Sequence, residues 1–158
     1  MTLTSAERDL LGGLPLPPLA PGPQLALGRE IAFSVGPDVA PIDAMERAVA
    51  TVRRMLPMLL KEAPVALAVS EEVLAVTREL VDIAARDRSS VDILGRVTLD
   101  DAHITISVGE KRCPLPRPDV EPGLYLVHRL AEEVGQYRGD GNGYIMWAAV
   151  GIQRNDDR

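Results

Sequence analysis

The chain has 158 residues and a formal net charge of -6, with Cys113 as its single cysteine. That length suffices for one compact domain whose core needs no disulfides or structural metal, and the negative charge argues against nucleic acid and anionic membranes as partners. With no signal peptide, no bilayer-spanning apolar run and few aromatics, a soluble cytoplasmic protein with a core of Leu, Val, Ile, Ala and Met is expected.

Residues 1–29 read as a short helix followed by a proline-rich segment. Thr4 stands three residues ahead of Glu7 in capping-box spacing, and Gly12 and Gly13 supply a stop. Pro15, Pro17, Pro18, Pro21 and Pro23 favour an extended polyproline form, either as a semi-rigid linker or with Leu14, Leu16 and Leu19 docked in a groove.

The domain proper is expected over residues 30–152, with a polar tail at 153–158. Ile31, Phe33 and Val35 alternate with polar or small neighbours, the period of a half-buried strand. Pro41 suits a first helical position, and Ile42, Met45, Val49, Val52, Leu56 and Leu59 follow at helical spacing until Pro57 bends or ends the helix. Ser70 is placed to cap a second helix, with Val73, Val76, Thr77, Leu80, Ile83 and Ala84 as its buried stripe. Val91 to Leu99 and Ile104 to Val108 alternate across the Asp100 to Ala102 turn as an antiparallel hairpin. Gly109 to Glu121 reads as a loop, and Gly123 to Val134 as a third helix stopped by Gly135. Gln136 to Arg138 and Tyr144 to Ile152 pair as a last hairpin. Hairpins interleaved with helices predict an α+β two-layer sandwich, a mixed and mostly antiparallel sheet covered on one face by helices.

The stretch Thr77 to Arg86 carries the chemistry, because Glu79 and Ile83 project from one helix face. Its register resembles the pocket-lining helix of the Bergerat-fold (GHKL, histidine-kinase-like) ATPases, and most closely the bacterial anti-sigma-factor serine kinases. Their pattern is glutamate, leucine, a small apolar residue, any residue, asparagine, alanine; Glu79, Leu80, Val81 and Ala84 match. The resemblance extends from about Glu30 to Ile152 and rests on the order of elements as well as on this motif.

The resemblance assigns Glu79 to the general base and places Ile83 at the magnesium-ligand asparagine, where a hydrocarbon offers no oxygen to a hard cation. Val108 falls at the adenine-reading aspartate and Glu110 at the glycine after it. Gly123 and Leu124 correspond to a vestigial glycine box at the head of a helix, where backbone amides meet an anion. Ile145 stands at a threonine in the last hairpin. Three polar contacts have thus become Ile83, Val108 and Ile145. The expectation is a regulatory protein-binding domain, anti-sigma-factor-like, with a degenerate pocket and no cofactor. Its partner would be a sigma factor or the small antagonist domain, met through the helical layer, the 109–121 loop or the N-terminal segment, and the family also allows a homodimer. The alternative is an ATP-dependent serine kinase using magnesium through an atypical pocket.

Plainer readings stand beside these. A glutamate at the wet edge of a helix is commonly just solvated, His103 and His128 read as surface histidines, and Cys113 as an incidental loop thiol. Arg53 and Arg54 either grip an acidic partner or form a solvated helix face.

Overall fold

A computed structural model describes residues 30–61, 65–87, 92–115, 117, 121–139 and 143–152. The expected N-terminal helix, the proline-rich segment, Val91, the Asp140 to Asn142 turn and the polar tail lie outside these residues. Strand β1 (Glu30–Val35) leads into helices α1 (Pro41–Leu59) and α2 (Leu67–Arg86). The hairpin β2 (Ile93–Leu99) and β3 (His103–Lys111) follows, then α3 (Pro122–Leu130) and the hairpin β4 (Glu133–Arg138) and β5 (Tyr144–Gly151).

The strands form one sheet in the order β1-β2-β3-β5-β4. The expected α+β architecture is present, but every described strand pair is antiparallel, so the sheet is not mixed among these residues. Alternation sends one residue set toward the helices. Ile31, Phe33, Val35, Ile93, Val97, Ile104, Ile106, Val108, Met146, Ala148 and Val150 join the helical stripes in one core. The β2–β3 turn forms as its aspartate suggested: Asp100 Oδ1 accepts from the backbone N–H groups of Ala102 and His103, both at 2.8 Å.

Three expected boundaries move. Ser70 does not cap α2, which begins a turn earlier with Ala66 in the capping position and no side-chain bond there. Val69, wholly buried and four residues before Val73, extends the apolar stripe upstream and draws that turn into helix. α1 ends where expected, at Leu59 just past Pro57. At the other end, α3 stops at Leu130, so Val134 and Gly135 belong to β4 rather than to a helix and its stop. The helical spacing of Leu130 and Val134 loses to pairing with β5, where Val134 faces Ala148 and Gly135 faces Trp147. The expected 109–121 loop also starts late, because β3 continues through Lys111.

Gly135 is a packing position: a Cβ there would stand 2.5 Å from Cζ2 of the fully buried Trp147. Gly135→Val should therefore lower stability by about 1–3 kcal/mol in a urea titration, through overpacking. An unchanged unfolding midpoint would show that the indole moves aside at no cost.

Candidate functional site

α2 positions the residues singled out by sequence. Its stripe is buried against α1, α3 and the sheet, which leaves Glu79 at the edge of that stripe, half-buried and facing the start of α3. The contact is close, since a Cβ on Gly123 would collide with the Glu79 carboxylate oxygen Oε1. The Glu79 carboxylate thus packs against the first turn of α3. Leu124 is buried in the core and contributes packing.

Acidic groups crowd this edge. Arg86 is the tie: its Nε donates to Asp82 Oδ2 at 3.0 Å and its Nη2 to Glu121 Oε2 at 2.8 Å, joining the last turn of α2 to the residue that precedes α3. Burial, then the nearby charge of Asp82, pushes the Glu79 carboxyl above its ordinary value of 4.5. Glu121 adds to the rise, while Arg78 and Arg86 oppose it. A half-buried carboxyl that holds its proton more tightly has the character required of a general acid or base.

Ile83 and Val108 do not border an opening. They are 3% and 0% exposed and lie inside the same hydrophobic core. Ile145 does not join them in the core, because its neighbour Met146 pairs with Val108 and strand alternation turns the Ile145 side chain to the opposite face of the sheet. There it faces Tyr137 and presses on Gly109. Glu110, expected to intrude on a ligand, is instead turned toward the β4–β5 turn, where the Gly143 N–H donates to its Oε1 at 3.2 Å. The structure thus gathers Glu79, Gly123 and Leu124 at one edge, sinks Ile83 and Val108 into the core, and separates Ile145 from both.

A second cluster was not legible in sequence. Asp87, just past α2, accepts from Lys111 Nζ at 2.9 Å and from the Cys113 backbone N–H at 3.0 Å. Lys111 is 4% exposed and also donates to the carbonyl oxygens of Cys113 and Pro114. Partial burial alone would raise the Asp87 carboxyl, but hydrogen bonds from Lys111 and Cys113 and the charges of Lys111 and Arg112 hold it below 3.8. No spacing signal links residues 24 apart, so only the fold reveals this clamp. His103 is also paired, its Nε2 lying 2.7 Å from Glu132 Oε1. Arg53 lies 3.9 Å from Glu71 with both side chains exposed, the solvated-face reading of that pair.

Among the described residues, no group of three or more His, Cys, Asp and Glu is arranged to hold a metal ion, and no helix is long and apolar enough to cross a membrane. Compared with known proteins, the chain matches no family model and no curated protein.

Two outcomes follow from these electrostatics. Asp87→Ala leaves the Lys111 ammonium buried without its counter-charge and should cost about 3 kcal/mol at neutral pH by denaturant titration. Because the Asp87 pKa is depressed on folding, its contribution is present above about 3.8 and disappears as the pH falls through the lower folded value, so the deficit should shrink in acid. Glu79→Gln has the opposite sign. With the folded pKa raised, the wild-type chain loses stability as the pH rises from 4.5 through that value, so the amide variant should be more stable at pH 7 and lose its advantage below 4.5. A Gln variant less stable at pH 7 would assign Glu79 a stabilising contact as a carboxylate.

Proposed function

We propose that this chain is a non-enzymatic regulator that works by binding another protein, on a scaffold of the kind used by nucleotide-binding domains. More specifically, we read it as a degenerate Bergerat-fold protein, anti-sigma-factor-like, whose partner is a sigma factor or its small antagonist domain. The observation that carries this reading is the filled state of the ligand positions. Hydrocarbon from Ile83 and Val108 sits in sealed core where a cation and a purine would need oxygens, and the Glu79 side chain packs against Gly123 at the start of α3.

The order of elements, strand, two helices, hairpin, helix, hairpin, supports the family reading as it did in sequence. Exposed apolar side chains support the protein-binding reading: Met58 and Leu67 are 73% and 76% exposed on either side of the α1–α2 connection. A second reading, an ATP-dependent serine kinase, draws on one observation, the raised pKa of the Glu79 carboxyl. Nucleotide binding separates the two.

Titration calorimetry with ATP and magnesium should give no binding tighter than about 100 μM, a free energy near -5.5 kcal/mol. ADP should leave the melting temperature unchanged, whereas a ligand at 100 times its Kd would add about 2.7 kcal/mol of stability. Capture of a single stoichiometric protein from a cell extract should be indifferent to nucleotide and lost in Met58→Glu/Leu67→Glu. Saturable micromolar ATP binding would overturn the regulator in favour of the kinase.

A further inference from the structure

A hollow of about 310 Å³ opens on the sheet face turned away from the helices, a volume within the range of small-molecule sites. Strand register sets its plan. Leu94 pairs with Gly109 in one row, and Arg96 pairs with Ser107 in the next. Tyr137 faces Ile145 alongside, so Leu94, Tyr137 and Ile145 form an apolar wall, while Gly109 has no side chain to fill the middle. Leu94 is 60% exposed, apolar surface that the fold itself leaves uncovered.

The polar groups of the hollow differ from one end to the other. At one end, Arg96 Nε is tied to Glu30 Oε2 at 2.6 Å, and its Nη groups meet no partner among the described residues. Beside it Ser107 is 6% exposed, and its Oγ is buried without a hydrogen-bond partner. A guanidinium fork next to an unmet hydroxyl is the donor set that receives a carboxylate. At the other end stands Glu110, whose carboxylate lies with the Ile145 side chain against Gly139 and accepts from the Gly143 N–H. Its negative charge favours an ammonium. The lining as a whole holds two carboxylates and one guanidinium, a balance that repels a simple anion, whereas a simple cation would leave the Arg96 and Ser107 donors unmet. A ligand carrying both charges satisfies both ends. Ser107 and Gly109 are two residues apart on β3, about 7 Å, and the terminal groups of an extended dipeptide are separated by about the same length.

We propose that this hollow binds a short zwitterion of the dipeptide class. Its carboxylate accepts from the Arg96 Nη groups and Ser107 Oγ, its ammonium faces Glu110, and its apolar side chains lie on Leu94, Tyr137 and Ile145. Glu30, by holding Arg96 Nε, aims the fork. The site is separate from Glu79 and the helical layer, which lie on the other side of the sheet, and it stands whether or not the chain is a regulator.

Titration calorimetry of the full chain with leucyl-leucine should give saturable binding with a sub-millimolar Kd. Binding should weaken at least about tenfold when the amine is acetylated, when the carboxylate is amidated, and when free leucine replaces the dipeptide. Arg96→Gln and Leu94→Ser, at side chains that reach solvent, should each weaken it to a similar extent with far-UV circular dichroism unchanged. Arg53→Gln, on the exposed face of α1, should not. In a measurement that needs no variant, the dipeptide should shift the backbone amide resonances of Gly95, Gly109 and Tyr137. Absence of saturation at millimolar dipeptide, undiminished binding in Arg96→Gln, or shifts confined to the helices overturns the proposal. An acetylated form that binds as well as the dipeptide assigns the hollow to a plain carboxylate, an amidated form that does so assigns it to a plain amine, and either result overturns the zwitterion.

Discussion

Burial of the α2 stripe is the constraint from which the rest follows. Ten of its twenty residues are buried, and the helix touches α1, α3 and three strands. Once Val69, Val73, Val76, Leu80 and Ile83 face the sheet, the rotation of the helix is fixed. Glu79 must then emerge at the α3 edge, and Ile83 must point into hydrocarbon. The fate of both candidate site residues is thus decided by packing before any ligand is considered.

The two ends of the segment after α2 are held by different physics. At one end, Arg86 spans Asp82 and Glu121 in partly exposed ion pairs, which orient the start of α3 and add little energy. At the other, the nearly inaccessible Lys111 has its three donors met by Asp87 and two carbonyl oxygens, so its charge is tolerated only while that set stays complete. The first arrangement shapes the acidic edge around Glu79. The second anchors the end of β3 to the end of α2, and with it the far edge of the helical layer.

At β3 and β5 the sheet is buried on both faces, and the two faces differ in kind. Toward the helices it presents branched aliphatics at close-packed spacing. Away from them its buried centre presents Thr105, Ser107, Ala149, Gly135 and the Trp147 indole, with Leu94, Arg96, Tyr137 and Ile145 toward the β1 and turn side. Gly135 gives Trp147 a flat place to lie, which is why a glycine stands in the middle of a strand that would otherwise be weakened by it. Ile145, grouped by sequence resemblance with Ile83 and Val108, belongs to this second face and to its chemistry.

Among the described residues, local pattern by itself determined the element types, the β2–β3 turn, the antiparallel pairing of neighbours and most of the helix-facing core, because periods of 2 and 3.6 are carried by adjacent residues. It also picked out Glu79 and Gly123, which do meet. It misplaced the end of α3 and the role of Gly135, since Leu130 and Val134 fit helical spacing and only β5, supplied later in the chain, makes a strand the better partner for residues 133–138. It could not see the Asp87 and Lys111 clamp or the separation of Ile145 from the core, which depend on long-range placement and on which side of a strand a residue falls in its register. Which groups share a site, and whether a site is open or filled, was decided by tertiary packing alone, because volume and burial are properties of the assembled layers rather than of any stretch of chain.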